Sequence, residues 1–307
     1  MSYKTKPKVA ILLPVFNGEK FLNQQVETIV LQENVSVSIF ISLDKSTDNS
    51  EQVINNLVQK YSNIYKLSHN FKEPEAGRNI FYLIKEIDFE KFDYIGFSDQ
   101  DDIWFTNKLY ESIRKLESSN FSAYSANVFS KRLGSKNKRI VYKNHKQRKW
   151  DHLFESAGPG CTYVLKKNIA IQLQNQVKLK WNQIILINHP DWLIYAFVKS
   201  LGKNWFIDSV ARMMHIQHGN NDMGQNRGYS AFIRRLKMLT SKYWFNQSIE
   251  VVKCIDINNN SFCNRYLKLD SKSFLFLAWN ARDCRRKPLE QIFFFLICIY
   301  LSISTRW

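Results

Sequence analysis

Val9–Leu13 is an unbroken apolar run, the pattern of a strand covered on both faces. Asn17-Gly18 ends it, and from Glu19 the apolar residues Leu22, Val26, Ile29 and Val30 recur along one face of a helix. Val37–Leu43 alternates as a second strand, and Val53, Ile54, Leu57, Val58 and Tyr61 mark a second helix after the capping residues Ser46–Ser50. Ile64–Leu67 reads as a short strand, Ile80 to Ile87 as a third helical stripe, and Asp93–Phe97 as a fourth strand. Strands alternating with helices of this length predict an α/β fold, a Rossmann-like, mostly parallel sheet flanked by helices. Ligands of such sheets sit at the carboxyl ends of the strands. The residues after Leu13, Leu43 and Phe97 should therefore meet in one crevice.

Beyond Trp104 the pattern changes. A helix is expected at about Asn107–Glu117, a strand near Ser122–Phe129, and a helix opening near His189-Pro190-Asp191. Between them, Lys131–Lys149 holds nine Lys/Arg and no acid, the composition of a mobile surface loop or hairpin. From Gly228 onward the reading is helical, which divides the chain into a catalytic domain, 1–228, and a C-terminal helical extension, 229–307. Within the extension Ile292–Leu301 is wholly apolar. A helix spanning a bilayer needs ~20 such residues, so the 289–303 stretch reads as a core helix or, next, a membrane-surface helix.

Charge sharpens the division. The 307 residues carry a net +17, but residues 1–102 hold 11 Lys/Arg against 15 Asp/Glu, so the net positive charge lies wholly beyond them. A surface of that kind attracts phosphorylated substrates, anionic lipid or nucleic acid. Five cysteines without CxxC spacing fit neither a disulfide framework nor a zinc knuckle, and suit a reducing cytoplasm. The basic start MSYKTKPK is followed by an apolar run that Pro14 breaks, which does not suit a secretory signal.

Three acidic points fall at expected strand ends or helix starts: Asp44, the trio Asp99, Asp101 and Asp102, and Asp191. Clustered carboxylates repel, and a divalent cation relieves the repulsion; the bland alternative is a solvated turn with a helix cap. No GxGxxG follows Leu13, so a nicotinamide-binding fold lacks its fingerprint. A DxD phosphatase of the haloacid-dehalogenase type would carry its motif on an early strand rather than nearly one hundred residues in. A nucleic-acid-binding role rests only on charge, with no recognised motif and no aromatics interleaved in the basic run.

LLPVFNGEKFL at 12–22, the Asp44-Lys45-Ser46-Thr47-Asp48 turn, GRN at 77–79, SDQDDIW at 98–104 and HPDW at 189–192 occur in that order. Over about residues 7–228 the chain resembles glycosyltransferase family 2. SDQDDIW, followed by QHGNN at 217–221, is similar to its rhamnosyltransferase branch of bacterial surface-polysaccharide enzymes. The resemblance implies a GT-A fold, inverting transfer from a nucleotide-sugar donor, and a Mg2+ or Mn2+ cofactor. It implies a lipid-linked or oligosaccharide acceptor at the cytoplasmic face of the bacterial inner membrane, with an anionic membrane surface as partner and no nucleic acid. By the same resemblance Pro14, Val15 and Asn17 line the nucleoside pocket, Asp44 bonds the base and Arg78 approaches the donor phosphates. Asp99 and Asp101 form the DxD pair at ribose and metal, His218 touches phosphate or metal, and Asp191 is the general base. Residue by residue, rival readings stand beside these: Asp191 as a helix cap, Asp48 as a cap rather than a ligand, Cys161 as a small buried residue, and Trp104 and Trp192 as core. His215 and His218 would suit two metal ligands only on a helix, where the following glycine argues for a loop. Only one carboxylate stands before the base-bearing helix, and the basic 131–149 segment has no counterpart in the family's pattern.

Overall fold

The computed structural model describes residues 5–69, 71–218, 243–255 and 260–304. Its first half follows the expected alternation: β1 (Lys8–Val15), α1 (Leu22–Val30), β2 (Ser36–Leu43), α2 (Ser50–Lys60), β3 (Ile64–Leu67), α3 (Ala76–Glu86) and β4 (Tyr94–Phe97). After these come β5 (Asp102–Trp104), α4 (Lys108–Glu117), β6 (Ala123–Ala126), β7 (Val128–Arg132), β8 (Lys138–Val141), β9 (Val164–Lys166), α5 (Lys167–Leu179), α6 (Trp181–Ile184), α7 (Pro190–Ser200), β10 (Trp205–Asp208) and β11 (Met213–Gln217). The described C-terminal part is helical: α8 (Tyr243–Cys254), α9 (Ser261–Tyr266), α10 (Ser271–Trp279), α11 (Ala281–Cys284) and α12 (Pro288–Ile303).

A seven-stranded sheet runs in the order β10-β6-β9-β4-β1-β2-β3, and a four-stranded sheet in the order β5-β11-β7-β8. In the larger sheet β4, β1, β2 and β3 are parallel, whereas β9 is antiparallel to both β4 and β6. The continuous apolar run of β1 has its reason in the two layers. Ala10 and Leu12 face a core shared with α3, α5 and α7, and Val9, Ile11 and Leu13 face one shared with α1, α2 and α4. The start of β9 lies beside the end of β4, so the turn before β9 joins the carboxyl-end rim of the parallel strands.

The strand expected at Ser122–Phe129 is two strands in two sheets, parting at Asn127. That fully buried side chain accepts from the Lys143 and Asn144 amides at 2.6 and 3.1 Å and donates to Ser209. The uniform apolar pattern on both sides hides the break. The basic segment is a hairpin for its first half, β7 pairing with β8, but its second half is packed rather than loose. Gln147 donates to the Trp205 carbonyl at 2.7 Å, and the Arg148 amide to Asp151 at 3.0 Å.

The expected boundary at Gly228 lies outside the described residues. The C-terminal helices that are described share one apolar cluster with the first part of the chain, where Phe154, Trp192, Trp244, Phe245, Phe274 and Phe294 meet. The 289–303 stretch forms α12, whose two faces differ. Phe294, Ile297, Cys298 and Leu301 are buried, while Leu289, Ile292, Phe293, Leu296, Tyr300 and Ile303 on the other face are exposed.

Candidate active site

The rim begins with the β1–α1 turn. Asn17 takes a left-handed backbone (φ 46°), and its side-chain oxygen accepts from the Thr47 amide at 2.8 Å, so it locks the β1 loop to the β2 loop. Asp48 accepts from the Glu19 and Ser50 amides, both at 3.0 Å, the cap role read from the sequence. Gln100, between the two DxD aspartates, clasps Phe16: its Oε1 accepts from the Phe16 amide at 3.0 Å and its Nε2 donates to the Phe16 carbonyl at 2.8 Å. A Cβ on Gly18 would stand 2.6 Å from that Oε1, so a larger residue in this turn would push the Gln100 side chain from its clasp. The three strand ends thus form one tied rim.

Asp44 ends β2 and is 1% exposed. One oxygen lies 3.3 Å from His69 Nε2 and the other accepts from the Glu75 amide at 3.2 Å. Burial raises its pKa, against the pull of that amide and of His69. Arg78 stacks over Phe71 at 4.5 Å, donates to the Glu73 carbonyl and adds its charge to the Asp44–His69 pair. Arg78 therefore sits with the expected base-recognition residue, and its recorded partners do not include the DxD acids. His69 and Phe71, which stack at 4.2 Å, were not singled out from the sequence, where nothing marks them.

At the end of β4 the acids gather as expected, with two histidines. His218 Nε2 lies 2.7 Å from Asp101 Oδ2, and its ring stacks on Phe21 at 4.4 Å. His215 Nδ1 lies 2.8 Å from Asp102 Oδ1. The helix that would have aligned the two histidines is instead β11, antiparallel to β5 with His215 opposite Asp102. One ligand atom from each of Asp99, Asp102, Cys161 and His215 falls within 4.8 Å of the others. Desolvation, then the Asp102 and Asp101 charges, pushes Asp99 up to about 7; desolvation and Asp102 also raise Asp101. Burial alone would lower His215, but the Asp102 hydrogen bond and the charges of Asp102, Asp99 and Asp101 together push it up to about 9. Lys108, buried beneath with its ammonium 3.3 Å from the centre of the Trp104 ring, is depressed to about 7 by desolvation. Sequence reasoning missed Lys108, which sits among apolar residues on α4.

This donor set fits a hard divalent cation. Its carboxylates suit Mg2+ or Mn2+, and the mutual repulsion of the acids is what such an ion relieves. Cys161 is the poor ligand in the group, because burial and the neighbouring acids hold its thiol protonated. Of the expected metal residues Asp99 falls in this group, with Asp102 and His215, whereas Asp101 and His218 pair with each other beside it.

Asp191 stands at the start of α7. Its Oδ1 accepts from the Trp192 amide at 2.9 Å, so the cap reading holds for one oxygen. Desolvation raises its pKa against His189, Ser156 and Lys143, which pull it down. A Cβ on Gly160 would lie 3.4 Å from the Asp191 Cβ, and the next residue, Cys161, is bonded to Asp99. Two consecutive residues of the Gly158-Pro159-Gly160-Cys161 turn therefore touch Asp191 and the DxD cluster. A Cβ on Gly77 would meet the Ile187 carbonyl at 2.9 Å, so the α3 glycine lets the loop leading to Asp191 pack closely on α3. Trp104 and Trp192 are buried core, as their default reading had it.

A family model described as Glycosyl transferase family 2 matches residues 10–171. The chain belongs to glycosyl transferase family 2. It is 34% identical over 288 residues to the dTDP-rhamnosyl transferase RfbG of Shigella flexneri, covering 94% of this chain and 99% of that one. A shorter match, 32% over 119 residues, covers 38% of this chain and 45% of WfaP of Escherichia coli, a UDP-Glc:alpha-D-GlcNAc-diphosphoundecaprenol beta-1,3-glucosyltransferase. In fold it is similar to TarS of S. aureus bound to UDP-GlcNAc, with TM-score 0.57, 13% identity and coverage of 95% of this chain and 90% of that one. It is also similar to the mannosyltransferase PcManGT of Pyrobaculum calidifontis with GDP-Man and Mn2+, with TM-score 0.50, 8% identity and coverage of 99% and 89%. The family 2 chain is thus a glycosyltransferase with a GT-A fold, and both the expected α/β class and the rhamnosyltransferase-like resemblance hold.

Proposed function

We propose that this glycosyltransferase is inverting, takes rhamnose from a deoxythymidine diphosphate donor, and adds it to a hydroxyl of a lipid-linked saccharide in bacterial surface-polysaccharide synthesis. The observation that carries the mechanism is the 160–161 turn, which touches Asp191 on one side and the DxD cluster on the other. The near full-length similarity to RfbG supports the donor, and the diphosphoundecaprenol acceptor in the name of WfaP supports the acceptor class.

In this reading Pro14, Val15 and the Asn17-braced turn border the nucleoside, with Asp44 and His69 at the base. Asp99, Asp101, Asp102, His215 and His218 would hold a divalent ion, which offsets the charge of the departing diphosphate. Asp191 accepts the proton of the acceptor hydroxyl as its oxygen attacks the anomeric carbon, and desolvation, by raising its pKa, makes it a stronger base than a solvated carboxylate. One displacement from the face opposite the diphosphate inverts the sugar without a covalent intermediate. The test is a panel of nucleotide sugars with and without Mn2+. The dTDP-rhamnose donor should give hydrolysis and thermal stabilisation that the metal enhances; equal response to UDP-glucose or GDP-mannose would remove the donor assignment.

We further propose peripheral attachment to the cytoplasmic membrane face through α10 and α12. No helix among the described residues is long and apolar enough to cross a membrane. The exposed side of α12 continues into Leu275 and Trp279 of α10, the latter 89% exposed, with Arg282 and Lys272 nearby in the chain. A contiguous apolar face rimmed by cations suits an anionic bilayer surface. Co-sedimentation with phosphatidylglycerol vesicles should weaken with salt and with Trp279→Ser; equal binding to neutral vesicles would count against it.

A further inference from the structure

A second charged cluster lies on the side of Asp191 away from the donor. Lys143, from the packed half of the basic segment, meets Arg285, Arg286 and Lys287 around a cleft of about 120 Å³, room for several water molecules. Glu155 and Glu290 are the acids of the same cleft, so four cations face two carboxylates. Part of this is internal bracing. Arg285 is spent on Glu290 at 2.5 Å and on the Phe154 carbonyl, and Arg286 Nη2 on Glu155 at 3.0 Å.

Lys287 is shared with Glu290 at 3.6 Å, and Arg286 Nε lies 3.7 Å from Asp151. Arg286 is 5% exposed, yet among the described residues its Nη1 has no hydrogen-bond partner, and neither has the buried His145 Nε2 beside it. The Lys143 ammonium has no carboxylate at ion-pair distance among the described residues, and its nearest strong influences are Lys287 and Arg286. Burying like charges with unmade hydrogen bonds is unfavourable unless a ligand of opposite charge completes the group. The positive end of α12 adds to the field, since Lys287 at its N-cap makes no side-chain cap bond.

Position gives the cleft its meaning. Ser156, on its wall, is in hydrogen-bonding contact with Asp191, whose charge also reaches Lys143. On the other side, the exposed Leu289, Ile292 and Phe293 begin within two turns of Lys287. A ligand seated here would have a reacting sugar toward Asp191 and an apolar tail toward the α12 face. We infer that Lys143, Arg286 and Lys287 form a binding site for the diphosphate of the acceptor, distinct from the donor diphosphate site. The inference rests on the proposed lipid-linked acceptor, but the site itself is testable without it.

The probe is inorganic pyrophosphate, titrated calorimetrically into the full chain without divalent ions. Wild type should bind it. Asp101→Ala, which disables the donor side, should bind it equally. Lys143→Gln combined with Lys287→Gln should weaken it at least tenfold, and Lys143→Arg should restore much of what Lys143→Gln loses. If the double variant does not fold, Lys143→Gln alone carries the test, because its ammonium has no ion pair to lose. No pyrophosphate binding by wild type, or undiminished binding by the lysine variants, overturns the inference. To separate sources, vesicles doped with a prenyl diphosphate should compete with pyrophosphate, and phosphatidylglycerol vesicles should not; competition by both to the same degree overturns a diphosphate-specific site. Failure of dTDP-rhamnose as donor would sink the proposed transfer while leaving this titration unchanged, so the two failures are distinguishable.

Discussion

Asp191 lies between two clusters of opposite sign. On the donor side Asp99, Asp101 and Asp102 crowd together, and burial with mutual repulsion raises the pKa values of Asp99 and Asp101. On the other side Lys143, Arg286 and Lys287 crowd together, and burial and like charge depress Lys143. Either arrangement would be wasteful in a finished, ligand-free protein, because each concentrates like charge in a poorly solvated place. Each makes sense as half of a pair: the acids await a cation with its diphosphate, the bases await an anion. The carboxylate between them borrows from both. It is desolvated enough to hold a proton more tightly than a free acid, and Lys143 limits that rise.

The strongest way to break this comparison is to remove the middle. Asp191→Asn should keep the fold and the donor affinity, since the amide oxygen can still accept from the Trp192 amide, yet lower kcat by roughly 10²- to 10⁴-fold, the usual worth of a general base. Donor Kd measured beside turnover separates the roles. Near-normal turnover would take Asp191 out of the mechanism and leave only its cap.

The donor side can be tested next. Asp101→Ala should abolish divalent-dependent donor binding. His218→Ala removes the partner 2.7 Å from Asp101 and should weaken Mn2+-dependent donor binding by roughly 10- to 100-fold. Metal-independent binding should stay as it was. A variant that loses both equally would mean that His218 supports the loop through its stack on Phe21 rather than the cation site.

The donor side was also the more legible side, for physical reasons. Its acids follow apolar strands whose period is unmistakable, so Asp44 and the Asp99–Asp102 trio could be put at one edge from pattern alone. What the pattern could not give were partners distant in the chain. His215 reaches Asp102 only because β11 pairs with β5, and Lys108 lies under the acids only because α4 packs there. The acceptor side was nearly opaque. Lys143 sits in a run that reads as solvated charge, and its burial depends on Asn127, one residue that switches the chain between sheets. Arg286 lies more than a hundred residues away, on the far side of the uncertain domain boundary.

The two sides are joined by a close approach, which a smaller perturbation should reveal. Gly77→Ala puts a methyl 2.9 Å from the Ile187 carbonyl, and the backbone must shift. Overpacking of this kind costs about 1–3 kcal/mol, so the melting temperature should fall. The displaced loop leads to Asp191, so kcat should drop further than donor affinity does. Equal loss in both would mean that the strain spreads to α3 and the base pocket instead.

The smallest expected effect concerns pH. His152 is buried under the basic side, 3.9 Å from Asp151, which in turn lies 3.7 Å from Arg286. Desolvation, with some help from Lys199, depresses His152 to about 3 from its ordinary 6.5. The unfolded chain therefore binds a proton that the folded one refuses. The stability this group contributes is complete above about pH 6.5 and is lost as pH falls toward 3, at up to about 1.4 kcal/mol per pH unit. Between pH 7 and 5.5 the wild type should lose roughly one such step, read from denaturant midpoints, and His152→Gln should flatten that slope. A slope that survives His152→Gln would transfer the acid sensitivity to other groups and leave His152 a neutral spacer beneath Arg286.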